Sequence, residues 1–302
     1  MSIPALREFL ARHSAASLGI AALGAAIDAK VSGTPIPERL RSSIDGLLGA
    51  LGQERGGAAL LDDVSPQELA PLLAQIRSDQ ALEANLTAGG HATSYAFTDP
   101  RILTNLGGTS AGFVGPLSRV IVPSLAGLAE RLSKPGATFL DVGVGVAGLA
   151  IAAARTWPEL RVVGIDPWQP SLALGRENVK SANLEKRIEL REQRAEDLVD
   201  ENFFDLAWIP AVFMPEATLK LACERVLRSL RPGGWMLFNA IEQLGDPLMD
   251  ATWRLRLAMF GGTALSPQDA EALLRDAGYD EVQTLCGPPG VALRLVAGRK
   301  KS

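Results

Sequence analysis

Asp141-Val-Gly-Val-Gly-Val-Ala-Gly148 sets an acidic residue ahead of a Gly-x-Gly-x-x-Gly pattern, where an apolar strand gives way to a helix. Thr138 to Val142 reads as a buried strand opened by the turn Lys134-Pro135-Gly136, and Ala147 to Thr156 as the helix that follows. Gly143 and Gly145 permit a tight turn and close approach of the main chain to a ligand. Gly148 is expected to let the helix lie against the sheet. This is the chemistry of a nucleotide-cofactor site, although a glycine pattern alone also fits an ordinary α/β turn. A second apolar strand, Arg161-Val-Val-Gly-Ile-Asp166, ends in a carboxylate 21 positions beyond Gly145. An acid at that distance accepts from both hydroxyls of a ribose.

Two further elements follow in order: a strand at Asn202-Phe-Phe-Asp-Leu-Ala-Trp-Ile209, and a turn feeding another at Leu230-Arg-Pro-Gly-Gly-Trp-Met-Leu-Phe238. With these four motifs the chain resembles the class I S-adenosylmethionine-dependent methyltransferases over residues 116–302. The resemblance implies S-adenosyl-L-methionine as cofactor. Asp141 then accepts from the methionine ammonium directly or through water, Gly143 and Gly145 admit the amino-acid and sugar portion, and Asp166 takes the ribose hydroxyls. Pro167, Trp168 and Pro210 join the cofactor wall, with Trp168 placed either on the adenine or as cover for the sheet. Many family members carry an Asp after the third strand, where alignment here gives Arg194. Ala195 by its amide and Glu196 by its side chain are therefore expected to read the adenine edge. A nicotinamide-dependent oxidoreductase shares the glycines and the ribose acid but has no use for the Arg-Pro-Gly-Gly turn or for Asp141. A non-catalytic cofactor-binding module is the other alternative.

The acceptor is less legible. After the fourth strand the chain runs Ala207-Trp-Ile-Pro-Ala-Val-Phe-Met214 and lacks the Asn/Asp-Pro-Pro-aromatic clamp of enzymes that methylate base amines or glutamine amides. Trp208, Ile209, Pro210 and Phe213 point instead to a floor for an uncharged or aromatic small molecule, of natural-product type. His91 and Tyr95 are catalytic candidates from a Gly-, Ser- and Thr-rich segment, residues 85–115, expected to be a poor helix and a linker or mobile lid. Glu242, with Asp246 and Asp250 nearby, is the acid available beyond the fifth strand.

Composition bounds the remainder. The 302 residues, 47% hydrophobic and 21% charged, suit a soluble protein of two domains. Net charge is −4, from 30 basic and 34 acidic residues, so no overall field draws a nucleic acid. Cys223 and Cys286 read as core thiols of a cytoplasmic protein, not as metal ligands, and no metal is expected. Ser17 to Ile27 imitates a signal peptide, but Glu8 precedes it and glycines interrupt it. No run approaches the ~20 apolar residues that span a bilayer.

The predicted architecture is α/β: a doubly wound Rossmann-like sheet in residues 116–302, preceded by an all-helical cap or dimerisation domain in residues 1–115. Helices are expected at Pro4 to Lys30, at Pro37 to Leu51 with Leu40, Ile44, Leu47 and Leu48 on one face, and after the capping box Ser65-Pro-Gln-Glu68, with Leu69, Leu72, Leu73 and Ile76 inward. Val120 to Leu132 reads as the helix leading into the second domain. Glu281 to Leu285 and Ala292 to Gly298 read as a terminal hairpin whose last strand is antiparallel. The apolar helices of residues 1–60 also suggest a homodimer.

Overall fold

A computed structural model describes residues 3–51, 61, 64–88, 95–285, 287 and 291–302. His91, Gly89, Gly90 and Cys286 lie outside the described residues. The chain divides into two compact units, Met1–Asn85 and Leu86–Ser302.

The first unit is helical: α1 (Ile3–Ser32), α2 (Glu38–Leu51) and α3 (Pro66–Thr87). Left-handed Gly33 (φ 71°) and the prolines at 35 and 37 separate α1 from α2. The capping box forms as expected: Glu68 N donates to Ser65 Oγ at 3.3 Å, and Ser65 N donates to Glu68 Oε2 at 3.1 Å. Ile44 and Leu48 bury against Ala22, and Leu69 and Leu73 against Ile27. Leu40 and Leu72 depart from expectation, being 53% and 54% exposed. Each helix hides a narrow i, i+4 stripe, and these two leucines fall outside it.

In the second unit, α4 (Pro100–Gly112) precedes α5 (Val114–Pro116), a π-helical turn (Leu117–Ile121), α6 (Val122–Ser124) and α7 (Leu128–Leu132). There follow β1 (Thr138–Val142), α8 (Gly148–Thr156), β2 (Arg161–Asp166), α9 (Gln169–Ser181), β3 (Ile188–Glu192), β4 (Phe204–Ile209), α10 (Glu216–Ser229) and β5 (Leu230–Ile241). The chain closes with α11 (Pro247–Phe260), α12 (Pro267–Asp276), β6 (Asp280–Leu285) and β7 (Leu293–Arg299). The sheet order is β3-β2-β1-β4-β5-β7-β6, with β7 antiparallel to both neighbours, as the terminal hairpin required. Side chains alternate between two cores. Phe139, Leu206 and Leu237 pack with α7, α8 and α9 on one face, and Leu140, Ala207 and Phe238 pack with α10 and α12 on the other.

Three local expectations are corrected. Residues 100–112 are helix, not linker: Asp99 caps them, its Oδ1 accepting from Arg101 N at 2.8 Å, and Pro100 occupies the first turn. The glycine there serves packing, since a Cβ on Gly107 would lie 2.2 Å from Val146 Cγ2. Gly148 likewise admits α4 and not the sheet, because its Cβ would stand 2.0 Å from Gly107 O. Finally, the helix expected over 120–132 is broken by extended Leu125 and left-handed Gly127 (φ 72°).

The Leu230-Arg-Pro-Gly-Gly234 motif is a bulge at the amino edge of the sheet. Phe204 pairs with Leu230 and Leu206 with Trp235, so six residues of β5 face three of β4. Arg231 reaches buried Asp205 at 2.5 Å, Arg131 reaches the same carboxylate at 3.4 Å, and Thr138 N donates to it at 3.0 Å. The motif therefore clamps the sheet end opposite the cofactor edge.

The α4–α8 crossing gives a stability prediction. Gly148→Ala drives a methyl into the main chain of α4 and should cost about 3 kcal/mol. Gly46→Ala, where a Cβ meets nothing within 4 Å in the interior of α2, should gain about 0.5 to 1 kcal/mol. Urea unfolding of both variants checks the pair; an unaltered Gly148→Ala protein would mean that α4 is not held by this contact.

Candidate active site

The carboxyl ends of β1 and β2 carry the turn Gly143 to Ala147. Gly143 (φ 66°), Gly145 (φ 55°) and Ala147 (φ 65°) are all left-handed, a sequence of conformations that side chains other than those of glycine resist. Gly143 N and Val144 N both donate to Ile165 O, at 2.8 and 3.1 Å, which fastens the turn to β2. Asn178 of α9 holds it from behind, donating to Val146 O at 3.0 Å. Gly164 and Gly175 supply the room: a Cβ on the first would lie 2.5 Å from Val144 Cγ2, and on the second 2.9 Å from Gly145 O.

In front of the turn lies a cavity of ≈ 350 Å³, within the range of small-ligand sites. Of the residues expected to hold cofactor, Gly143, Gly145, Asp166, Pro167, Trp168, Ala195, Glu196 and Pro210 all line it. Tyr95 lines it as well. Asp166 Oδ2 accepts from Gly145 N at 2.9 Å and Oδ1 from Trp168 N at 2.7 Å, so the carboxylate expected at the ribose is pre-oriented by the glycine turn. Burial raises its pKa, against the pull of these two N–H groups.

Asp141 is not on the cavity wall. It is buried under the turn, 2% exposed, where the Ala150 amide donates to it and Oδ2 has no protein partner. Burial, reinforced by the charge of Asp166, pushes its carboxyl up to about 8, so it holds its proton at neutral pH. At the far end Arg194 pairs with Glu196 at 2.7 Å, and both line the cavity beside Ala195. The residue in the family's acid position thus neutralises the carboxylate expected to replace it.

The other wall is aromatic. Tyr95, Phe213 and Phe260 line the cavity, Phe97 packs behind them, and ring centroids stand 4.7 to 6.2 Å apart. Burial raises the Tyr95 phenol to about 12, and it stays a neutral hydroxyl at neutral pH. Pro210 and Phe213 are where the acceptor floor was expected. Trp208 and Ile209 are not: Trp208 points to the opposite face and tilts on Phe113 at 5.1 Å, and Ile209 is wholly buried in the other core. Strand alternation forbids neighbouring residues of β4 from sharing one face.

Glu242 is a further correction. It lines a second cavity of ≈ 490 Å³, with Asp250, Trp253 and Arg254, and pairs with Arg294 at 2.5 Å. It does not line the cofactor cavity, and its ion pair removes it as a free base. His91 lies outside the described residues.

Sequence reasoning missed Leu103, Leu106 and Ser110 of α4 and Phe260 at the end of α11, all on the cavity wall. Their signal was present. Both helices open with Asp-Pro, and Asp246 caps α11 by accepting from Leu248 N and Met249 N as Asp99 caps α4. Gly261 (φ 68°) closes α11, and Gly262 lets it lie on the loop after β4, since a Cβ there would stand 1.7 Å from Val212 O.

Among the described residues, the titratable wall thus comprises one pre-oriented carboxylate, one neutralised ion pair and one neutral phenol. Such a site can bind, orient and exclude water; it does not present a ready general base.

Comparison with known proteins agrees. Residues 139–234 match the family described as "Methyltransferase domain". A probable fatty acid methyltransferase of Pseudomonas putida is 33% identical over 108 residues, 35% of this chain and 27% of that protein; the match thus spans about a quarter of the relative's length. The S-adenosylmethionine-dependent methyltransferase SibL, in its apo form, superposes over 100% of both chains with a TM-score of 0.63 at 20% identity. Human N-acetylserotonin methyltransferase in complex with S-adenosylmethionine covers 98% of each chain with a TM-score of 0.57 at 17% identity. Residues 139–234 thus match a methyltransferase domain, and the sheet order with its glycine turn gives the second unit the Rossmann-like fold that these S-adenosylmethionine-dependent enzymes share.

Proposed function

We propose that the protein transfers a methyl group from S-adenosyl-L-methionine to a small, largely apolar or aromatic metabolite in the cytoplasm. The observation that carries this reading is a single cavity in which the glycine turn and Asp166 face Tyr95, Phe213 and Phe260. The cavity also fits the cofactor. Two left-handed glycines leave the main chain bare where the ligand must approach, and the buried, unpartnered Oδ2 of Asp141 retains an acceptor behind them. A net charge of −4 supports a small-molecule acceptor over a nucleic acid.

When bound, the sulfonium supplies an electrophilic methyl group with a neutral thioether as leaving group. The chain's own part is positional. Asp166 holds the ribose hydroxyls, Gly143 and Gly145 bring backbone to the amino-acid portion, and Pro167, Trp168, Ala195, Glu196 and Pro210 enclose the remainder. Asp141 acts from beneath the turn on the ammonium, through water. Tyr95 offers a neutral hydroxyl at the acceptor side, and the phenyl rings beside it exclude water, which makes proximity the main source of rate. His91 is retained as an acceptor-side residue by its sequence position only.

The surface of the first unit supports a homodimer. Leu18, Ile20, Leu40 and Leu72 are 49 to 63% exposed, and apolar patches on helices of this kind mark interfaces. Light scattering should return a mass near twice 31.9 kDa at micromolar concentration; a monomer mass throughout would refute the dimer.

Two experiments address the cofactor. Two charge-assisted hydrogen bonds contribute on the order of 2 to 3 kcal/mol, so Asp166→Ala should weaken S-adenosylhomocysteine roughly 30- to 150-fold with the fold intact. Calorimetry reads this, with NADH as the control ligand; an affinity within about threefold of wild type removes Asp166 from the site, and binding of NADH alone removes the methyltransferase reading.

The second uses the proton on Asp141. Its raised pKa means that the carboxyl is protonated at pH 7, and a ligand ammonium nearby favours the anion, so binding must release a proton. At pH 7, calorimetric heats in buffers of different ionisation enthalpy should therefore show proton release for wild type. Asp141→Asn should lack it, with weaker affinity. Equal heats in all buffers for wild type would place Asp141 outside the ligand's reach.

A further inference from the structure

We propose that Trp168 is a positioning residue, a clasp that ties the aromatic acceptor wall to the ribose-binding carboxylate so that occupancy of the cofactor end organises the other. The inference rests on the reading of Asp166 as the ribose acid. Trp168 donates two hydrogen bonds in opposite directions: its backbone N–H to Asp166 Oδ1 at 2.7 Å, and its indole Nε1–H to Phe97 O at 2.8 Å. Asp166 Oδ2 is at the same time held by Gly145 N at 2.9 Å. A continuous chain of polar contacts therefore runs from the glycine turn through Asp166 and Trp168 to the main chain at Phe97.

What hangs on the far end is the aromatic wall. The Phe97 side chain is buried, 7% exposed, and its ring lies 5.4 Å from Tyr95 and 6.2 Å from Phe260. Tyr95 stands in turn 5.7 Å from Phe213. Residues 95–99 carry no helix or strand of their own before α4 begins at Pro100. Without a ladder of backbone bonds, the position of the segment depends on its ring packing and on the indole N–H. The Asp99 cap fixes the start of α4 but leaves Phe97 two residues upstream of it.

The arrangement has a directional consequence. A ribose whose hydroxyls donate to Asp166 fixes the carboxylate and with it the Trp168 amide, which steadies the indole and hence the Tyr95 to Phe97 wall. Acceptor then meets an organised surface only after the cofactor end is filled, so binding is ordered.

Trp168→Phe keeps an aromatic ring on the cavity wall and deletes only the indole donor. Hydrogen exchange of the peptide covering residues 95–99 reads the clasp directly, with and without S-adenosylhomocysteine. In the free protein the variant should exchange this segment about five- to tenfold faster than wild type, the effect of one lost hydrogen bond. Ligand at saturating concentration, set for each protein from its own calorimetric affinity, should slow exchange of the segment in wild type but not in Trp168→Phe. Equal exchange of the segment in the two free proteins would overturn the clasp; equal protection by ligand would overturn the coupling. A wild-type protein that binds no S-adenosylhomocysteine would instead sink the cofactor reading and the coupling with it, and the free-protein comparison would still decide the clasp.

Discussion

The main chain between Gly143 and Gly148 is confined on every side but the one that faces the cavity, and the rest of the second unit is arranged to permit that. Ile165 O takes two of its amides, Asp166 a third, and Asn178 grips Val146 from α9. Glycines are needed at each close approach: Gly164 and Gly175 beneath the turn, Gly107 and Gly148 where α4 crosses it. A single methyl group at any of these contacts meets backbone, or a short branched side chain with nowhere to move. The conformation is left-handed at three of five consecutive residues, an arrangement isolated peptides avoid. It persists because packing and hydrogen bonds from four elements over-determine it.

Electrostatics divides the sheet into two edges with different duties. At the amino edge, Asp205 is buried but held by two arginines and a backbone amide, so its charge is compensated within the protein. At the carboxyl edge, Asp141 and Asp166 are both buried, among the described residues no side-chain cation pairs with either, and burial drives both toward the protonated form. A purely structural core has no reason to bury two such acids with only backbone amides against them. Their cost is understandable if a cationic, hydroxyl-bearing ligand completes the arrangement, and perturbed acids of this sort concentrate in functional sites.

Local sequence made the strands and the cofactor edge legible because each was specified within a few residues. β1 and β2 match the expected bounds, and β4 starts two residues later than expected and ends where expected. Period-two burial and turn glycines are short-range signals. What failed was non-local. Glycine content marked residues 85–115 as linker, but Gly107 is explained only by Val146 and Gly148, which lie some forty positions later. Trp208 was assigned to the acceptor floor by adjacency to Pro210, and the pleat sends it to the other face. Glu242 was an available acid by type; its partner Arg294 is brought by β7 pairing with β5, which no local pattern reports. The Asp-Pro starts of α4 and α11 were readable and were outweighed by the glycine count, although an Asp N-cap followed by Pro is the more specific signal.

This division between local and non-local signals has a functional side. The cofactor half of the cavity is built largely of main chain, at strand ends whose geometry the sheet imposes, and it tolerates little variation. The opposite wall comes from the segment before α4, from α4 itself, from the loop after β4 and from the end of α11, and it contributes side chains: Tyr95, Leu103, Leu106, Phe213 and Phe260. Substitutions there change shape and polarity without touching the turn. One frame can thereby present the same methyl donor to different acceptors, which is the division expected where function resides in a site grafted on a shared fold. In this protein the wall is apolar and aromatic, with hydroxyls at Tyr95 and Ser110. On the proposed reading selectivity then comes from shape and from these few polar contacts, because an apolar pocket discriminates neighbouring sizes by only ~1 to 3 kcal/mol per methylene.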